Sequence, residues 1–420
     1  MASLMSEGEA KSAAAPARAV HDDEEKKEGE ICAICLEALP RFGRGAVWFM
    51  CCGKSIHKEC ELQFDNSRCD KNCPMCRAPP ASSLEQQHTR ALRWARKGKA
   101  WAMVFVATYF LRGRGVSASK EMARLWFEKG AEQGDPDAQY NLGRMHYKGE
   151  GGLPVSKEMA RLWFEKAAEQ GDPIAQYNLG LMHSNGEGGL PVSEEKARLL
   201  YEKAAEQENP YAQFSLGRMH SHGEGGLPVS KEKARLWYEK AAEQEHPNAQ
   251  YNLGCLHYFG DGGLPVSKEK ARLLYEKAAE QGLPDAQNNL GVMHFDGEGG
   301  LPVSKEKARL LYEKAAEQSY PEAQHNLGVM HDNGEGGLSV SQEKARLLYE
   351  KAAEQGHREA QFNLGYMHEN GEGGLPVSKE KARLLYEKAA EQGYSKAQYN
   401  LAIMYVYDQD GLPVSMEDAL

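Results

Sequence analysis

The feature that most constrains this 420-residue chain is an alanine that returns every 37 residues. The text around it, Lys-Ala-Arg-Leu-Leu-Tyr-Glu-Lys-Ala-Ala-Glu-Gln in its commonest form, returns with it without insertion or deletion. A fixed period of about 20 to 50 residues is typical of a stacked repeat protein, because each unit buries its apolar face only against its neighbours. The eight alanines are Ala123, Ala160, Ala197, Ala234, Ala271, Ala308, Ala345 and Ala382.

The pattern within each unit predicts two helices. Ser193 supplies an oxygen for the free N–H groups at the start of one first helix, and apolar residues then recur at helical spacing. Asp135 and Pro136 predict the start of a second helix, in which Gly143 lets a neighbouring helix come close. Glycines suited to a left-handed cap follow the first helices at Gly134, Gly171, Gly282, Gly356 and Gly393. We therefore expect a mainly α fold, an α-solenoid of stacked helical hairpins.

Composition and period divide the chain into five segments. Residues 1–30 are acidic and lack apolar periodicity, which predicts a disordered tail rather than a transit peptide. Residues 31–80 hold a cysteine cluster, and residues 84–116 resemble a degenerate capping repeat. The eight regular repeats occupy residues 117–408. Residues 409–420 match the opening of an incomplete repeat, at which the chain either stops or is cut short.

Charge and cysteine usage limit the functional class. The net charge of −10 argues against a protein that coats nucleic acid, and no apolar run reaches the ~20 residues of a membrane span. Eight of the nine cysteines lie between Cys32 and Cys76. Such clustering indicates a metal site in a reducing compartment rather than a disulfide framework. We expect an intracellular protein, cytoplasmic or nuclear.

Residues 31–80 predict a zinc domain. Two thiolates separated by two residues reach one tetrahedral zinc, so four ligand pairs in one short segment predict two zinc ions. A segment of this length cannot build a core of its own, and the metal must hold it folded. The four pairs are Cys32 and Cys35, Cys51 and Cys52, His57 and Cys60, and Cys73 and Cys76.

The order of these pairs resembles the RING finger of ubiquitin ligases. The resemblance implies one site made of Cys32, Cys35, His57 and Cys60, and a second made of Cys51, Cys52, Cys73 and Cys76. The adjacent Cys51 and Cys52 depart from the family pattern, and Cys69 is the available substitute if one of them is a bystander. The family's histidine would fall at Lys54, which cannot serve as a ligand.

The resemblance extends to residues outside the ligand set. It implies that Ile34, Phe64 and Pro74 contact a ubiquitin-conjugating enzyme and that Arg77 positions ubiquitin through its planar guanidinium. The alternative is that Ile34, Phe64 and Pro74 only form the small apolar cluster between the zinc loops. A RING finger acts by orienting the ubiquitin thioester and forms no covalent intermediate, so no catalytic nucleophile is expected.

The repeat text, with its Ala-Gln, Leu-Gly, Met-His and Gly-Glu-Gly elements, resembles the Sel-one-like family, relatives of the tetratricopeptide repeats. The resemblance covers roughly residues 84–408 and implies a scaffold that holds other proteins, often in protein-degradation machinery. The chain departs from the family in having histidine where tyrosine is usual. Histidines of neighbouring repeats are too far apart to share one zinc ion, because packed helices lie ~10 Å apart and zinc ligands lie ~2 Å from the ion. We expect packing at His146, His183, His220, His257, His294, His331 and His368.

The sequence leaves two alternative roles for each of two further surfaces. The residue after Ala-Gln differs between repeats and is either an idle solvent position or part of a binding surface; the series is Tyr140, Tyr177, Phe214, Tyr251, Asn288, His325, Phe362 and Tyr399. Because aromatic residues at exposed positions favour partner contact, we favour binding. A basic helix is predicted from Leu84 to Lys99, as a solvated face or a docking site for an acidic partner. Its basic residues are Arg90, Arg93, Arg96, Lys97 and Lys99.

These observations predict a RING-type ubiquitin ligase that recruits a conjugating enzyme through its zinc domain and a substrate or adaptor through its repeats. The alternative is a zinc-binding interaction scaffold without ligase activity. Nucleic-acid binding through the zinc loops and the basic helix is disfavoured by the net charge.

Overall fold

The computed structural model describes residues 46–48, 55–57 and 81–407. The chain separates into two units, Met1–Ser119 and Lys120–Leu420, which are described in turn. No helix within the described residues is long and apolar enough to span a bilayer.

The described part of the first unit contains a strand pair and a helical hairpin. Strands β1 (Ala46–Trp48) and β2 (Ser55–His57) are antiparallel, with Val47 opposite Ile56. Helices α1 (Leu84–Ala95) and α2 (Ala100–Arg112) form the hairpin. Helix α1 is shorter than the predicted Leu84–Lys99, because the chain turns through Gly98 at a φ of 81°.

The second unit consists of eight repeats, each with an A helix followed by a B helix. The A helices are α3 (Lys120–Glu132), α5 (Lys157–Glu169), α7 (Glu194–Glu206), α9 (Lys231–Glu243), α11 (Lys268–Glu280), α13 (Lys305–Glu317), α15 (Gln342–Glu354) and α17 (Lys379–Glu391). The B helices are α4 (Pro136–Lys148), α6 (Pro173–Asn185), α8 (Pro210–His222), α10 (Pro247–Phe259), α12 (Pro284–Asp296), α14 (Pro321–Asn333), α16 (Arg358–Asn370) and α18 (Ser395–Tyr407). The predicted α-solenoid of stacked hairpins is confirmed.

The helix ends follow from local sequence. The Ser193 hydroxyl accepts a hydrogen bond from the Lys196 N–H at 3.3 Å and so caps α7. Between the A and B helices the chain takes one left-handed residue, as at Gly282 with a φ of 89°. Three repeats place a residue with a side chain there, in the same left-handed region: Glu208, Glu245 and Ser319.

Small residues and one aromatic ring form the core of each repeat. In the repeat of α7 and α8, Tyr201 and Met219 are no more than 1% exposed and pack among buried alanines, whereas Leu200 is half-buried. The A-helix ring also lies against the preceding B helix. A Cβ on Gly180 would lie 2.5 Å from Tyr201 Cε1, so only glycine fits at this position. This close contact was predicted for Gly143 and is present there against Phe164.

Candidate binding surface of the repeats

The predicted zinc ligands fall almost entirely outside the described residues. His57 is the exception, and its backbone ends β2 opposite Ala46. The residues that lie outside are Cys32, Ile34, Cys35, Cys51, Cys52, Cys60, Phe64, Cys69, Cys73, Pro74, Cys76 and Arg77. Within the residues that the structure does describe, no three His, Cys, Asp or Glu side chains are grouped so as to hold a metal ion.

The variable residues after Ala-Gln are less exposed than expected. The Tyr177 ring packs on Tyr201 of the next A helix, with centroids 5.6 Å apart, and the Phe214 ring packs likewise on Tyr238 at 5.9 Å. These rings are half-buried, so the expectation of exposed aromatic side chains is wrong for most of them. The cause is the next repeat, whose A helix covers this position. Tyr399, in the last described helix, is 67% exposed.

The ring column changes at two neighbouring repeats: Asn288 has no ring, and the smaller imidazole of His325 packs on Tyr349 with centroids 5.9 Å apart. Asn288 and His325 occupy the variable position there, and each accepts a hydrogen bond from the following repeat. Asn326 Nδ2 donates to Asn288 Oδ1 at 3.0 Å, and Asn363 Nδ2 lies 3.3 Å from His325 Nε2. In an earlier repeat the equivalent Asn178 donates instead within its own helix, to the Ile174 carbonyl. The equivalent bond also crosses the boundary at a repeat that keeps its ring, where Asn289 Nδ2 donates to the Tyr251 hydroxyl at 3.4 Å.

A polar groove lies at this interruption, with a cavity volume of about 680 Å³. It spans three successive B-helix starts, from the repeat of α12 to that of α16. Its lining residues are Asn288, Pro321, Glu322, His325, Asn326, Gln355, Gly356, His357, Arg358, Glu359 and Gln392. We call this the 325–357 groove.

Two stacked histidines form one wall of the 325–357 groove. The rings of His325 and His357 have centroids 4.8 Å apart at an interplanar angle of 27°. Burial lowers the pKa of His325 to about 4 and also lowers the pKa of His357. His357 Nδ1 accepts from the Ala360 N–H at 3.2 Å, which uses its lone pair to cap α16. Both rings are therefore neutral at pH 7.

Carboxylates give the groove its charge. Arg358 Nε donates to Glu359 Oε1 at 3.0 Å, and both side chains are partly exposed. Glu322 holds the equivalent position in the preceding B helix, is exposed, and has no ion-pair partner among residues 81–407. With neutral histidines, the lining carries two carboxylates and one guanidinium and is acidic by one charge.

A glutamine network joins successive repeats and was not foreseen from sequence. Gln207, which follows α7, donates from Nε2 to Oε1 of the buried Gln176 at 2.9 Å. Gln176 in turn donates to the Ala168 carbonyl at 3.3 Å. A sequence pattern that could have predicted this network is the pair of glutamines that recurs 31 positions apart along the repeats. The donors of this network are Gln170, Gln207, Gln244, Gln281, Gln318, Gln355 and Gln392.

The histidine row lies in the repeat interior. His183 and His220 are 8% exposed, and burial lowers the pKa of both. Their Nδ1 atoms are buried without a hydrogen-bond partner in the described residues. Tyr405 occupies the same position in α18 and donates its hydroxyl to Glu387 at 3.1 Å. This burial agrees with the packing interpretation of the row.

The predicted basic cluster lies at the turn between α1 and α2. Arg93, Arg96, Lys97 and Lys99 are exposed, and Lys97 Nζ lies 4.6 Å from the centre of the Trp94 ring. The exposure agrees with a solvated face and also leaves the cluster free for an acidic partner.

Similarity to known proteins extends over most of the chain. The Sel1 repeat family matches residues 102–420 in nine consecutive segments. A protective antigen of uropathogenic Escherichia coli strains, described as having an SLR fold, is 32% identical with a TM-score of 0.59; the match covers 76% of this chain and 67% of that one. A Sel1 repeat protein from Oxalobacter formigenes is 31% identical with a TM-score of 0.50, covering 75% of this chain and 89% of that one. Among curated proteins, none gives a match.

Proposed function

This chain belongs to the Sel1 repeat family, and we propose that it is a RING-type ubiquitin ligase whose repeats hold the protein to be modified. The repeats are a protein-interaction scaffold. The finer assignment, which adds the ligase, rests on the ligand pattern of residues 31–80. We place the protein inside the cell, in the cytoplasm or nucleus, because its cysteines are clustered in this pattern.

The observation that carries the ligase assignment is the order of eight zinc-ligand residues together with four contact residues of the right chemical type. Two zinc ions would be held by the Cys32, Cys35, His57 and Cys60 set and the Cys51, Cys52, Cys73 and Cys76 set. The strand pair supports a folded segment here. Residues 49–54, which connect β1 to β2, contain Cys51 and Cys52, and β2 ends at His57.

The mechanism needs no nucleophile from this chain. Ile34, Phe64 and Pro74 would contact the conjugating enzyme, and Arg77 would hydrogen-bond enzyme and ubiquitin together. Holding the thioester in one geometry makes attack by a substrate lysine effectively unimolecular, which is the whole rate gain. The repeats contribute by keeping the substrate or adaptor within reach of that thioester.

The test is ubiquitin discharge from a panel of charged conjugating enzymes by the zinc-loaded protein. We expect discharge onto free lysine, and we expect Arg77→Ala and Ile34→Ala to reduce it by at least about tenfold. Arg44→Ala, which lies outside the RING contact pattern, is the matched control for Arg77→Ala. No discharge with any enzyme, from protein shown by mass spectrometry to hold two zinc ions, would overturn the ligase proposal.

A second candidate is a zinc-binding scaffold without ligase activity, favoured by the adjacency of Cys51 and Cys52. Native mass spectrometry of Cys51→Ser, Cys52→Ser and Cys69→Ser variants would count the zinc ions that remain. Suppose that one ion is lost with Cys69→Ser and with only one of the other two variants. Cys69 would then be a ligand of the second zinc site, in place of Cys51 or Cys52. Such a departure from the RING pattern, combined with failed discharge, would favour the scaffold.

A further inference from the structure

We infer that the 325–357 groove binds a lysine or arginine side chain of a partner protein. The inference deepens the scaffold role of the repeats and rests on it, but it does not depend on ligase activity in residues 31–80. It is argued from the shape of the groove, from its charge and from the hydrogen-bonding groups on its walls.

The shape of the groove results from one missing ring, at Asn288, and one smaller ring, at His325. At the variable position Tyr251 packs on Tyr275 at 5.6 Å and Phe362 packs on Tyr386 at 5.5 Å. Between these two repeats, Asn288 and His325 are smaller than the rings they replace. Asn288 is 6% exposed, so its amide lies at the floor of the opened space. The cavity of about 680 Å³ is large enough for one long side chain and part of its backbone.

The charge of the groove selects a cation. Glu322 and Glu359 hold the same position in successive B helices and both line the cavity. The basic side chain beside them, Arg358, is already paired with Glu359. Glu322 is therefore the unneutralised charge of the lining, and a ligand cation would supply its partner. Residues 120–420 carry 47 acidic and 33 basic side chains, so the field around the groove has the same sign.

A helix N-terminus also favours acidic residues, and this alone would explain a glutamate at each of these positions. Two observations go further. The two carboxylates flank a cavity, and the repeats with intact ring columns do not all carry an acid there; Ile174 and Tyr211 stand at the same position in α6 and α8. An acid also stands at this position in α4, at Asp137, where the ring is kept, so the adjoining cavity is what distinguishes Glu322.

The walls can also hold the backbone that carries the cation. Asn326, Gln355 and Gln392 present side-chain amides to the cavity. Their amide nitrogens already donate to Asn288, Gln324 and Gln361, so the side chains would offer an extended peptide their amide oxygens as acceptors of its backbone N–H groups. A peptide would thus be fixed by its backbone and selected by one basic side chain.

The experiment measures fluorescence anisotropy of a short fluorescein-labelled Lys-Gly-Lys-Gly-Lys peptide with the full chain. The matched probe has glutamate in place of each lysine. We expect the lysine peptide to bind and the glutamate peptide not to bind, with affinity falling as salt is raised. Glu322→Gln combined with Glu359→Gln should weaken binding by about fivefold, because the first change removes the partner of the ligand cation and the second leaves Arg358 unneutralised beside it.

Two controls separate the groove from the diffuse acidity of the repeats. Asp137→Asn removes one charge at the same position of α4, where the ring column is intact, and should leave binding unchanged. His325→Tyr replaces the imidazole by the larger ring that other repeats have, narrows the cavity and should weaken binding, whereas Phe362→Tyr should not. Circular dichroism would show that each variant keeps its helices.

The outcomes of these experiments distinguish the cation site in the groove from the ligase activity. Equal weakening by Asp137→Asn and Glu322→Gln, or full binding by His325→Tyr, would overturn the groove as the site. No binding of the lysine peptide by the native chain would also overturn it, yet would leave ubiquitin discharge unaffected. Failed discharge with intact, groove-dependent peptide binding would reject the ligase and keep the cation site.

Discussion

Gln207 donates a hydrogen bond to the buried Gln176, an interaction that crosses the boundary between two repeats at 2.9 Å. The same contact recurs along the whole second unit. It satisfies a buried side-chain amide that would otherwise lose its hydrogen bonds to water. Each repeat is therefore joined to the preceding one by a polar contact as well as by packing.

Removal of this contact should destabilise the solenoid. Gln176→Ala removes the acceptor that Gln207 has in the preceding repeat, leaving it only the Lys203 carbonyl, and removes a hydrogen bond to Ala168. We therefore expect a loss of about 1–3 kcal/mol in the free energy of unfolding. This loss in the free energy of unfolding is measured by urea denaturation monitored by circular dichroism. Gln398→Ala is the matched control, because in the described residues no later glutamine donates to Gln398. Equal losses in the two variants would argue against coupling between repeats.

Replacement of left-handed residues by glycine should stabilise the chain. Glu208 and Glu245 have φ of 61° and Ser319 has φ of 63°, a region that costs a residue with a Cβ about 1 kcal/mol. Glu208→Gly should therefore raise the urea midpoint. Gly282→Glu makes the reverse change at the equivalent position, where a Cβ has open space, and should lower it. A lower midpoint for Glu208→Gly would contradict the strain.

An ion pair can be restored within one repeat. Lys157 pairs with Glu187 at 2.9 Å, and the same pair recurs in several repeats. At the boundary between α7 and the loop after α8, glutamate occupies both positions, Glu194 and Glu224. Glu194→Lys should stabilise by about 0.5 kcal/mol at low salt. The gain should shrink in high salt; a gain independent of salt would exclude the ion pair as its cause.

Acid should destabilise the repeats. Burial lowers the pKa of eleven histidines in the folded state, so the unfolded chain takes up protons below pH 6.5 that the folded chain does not. The contribution of these histidines to the free energy of unfolding is complete above pH 6.5. It falls as the pH decreases, by about 1.4 kcal/mol per pH unit for each extra proton bound on unfolding. The histidines are His88, His146, His183, His220, His246, His257, His294, His325, His331, His357 and His368.

Urea midpoints between pH 7.5 and pH 5 test this prediction. Burial raises the pKa of Asp135 to about 6 and also raises the pKa of Asp332, which has the opposite effect, but these are two groups against eleven. His294→Tyr should flatten the pH dependence, because Tyr405 shows that a tyrosine ring fits this position in another repeat. Midpoints that rise toward pH 5 would contradict the prediction.

The sequence predicted the solenoid because the 37-residue period, the serine caps and the cap glycines all act within one repeat or between neighbours of known spacing. It missed the burial of Tyr177 and Phe214, because helical periodicity within a repeat does not reveal that the next A helix covers them. The 325–357 groove was also missed, since it arises from the absence of a ring at Asn288 and a smaller ring at His325. The predicted roles of residues 31–80 depend on metal coordination, which lies outside the described residues.

The contact of each A-helix ring with the glycine of the preceding B helix, as between Gly180 and Tyr201, is nearly the same at every boundary. Any B helix of this kind is thus a suitable neighbour for any such A helix. Unequal recombination within the gene can then add or remove 37 residues and leave every interface intact. The number of repeats between Lys120 and the 325–357 groove would change in steps of one, so the length of this solenoid can change in evolution without redesign of its core.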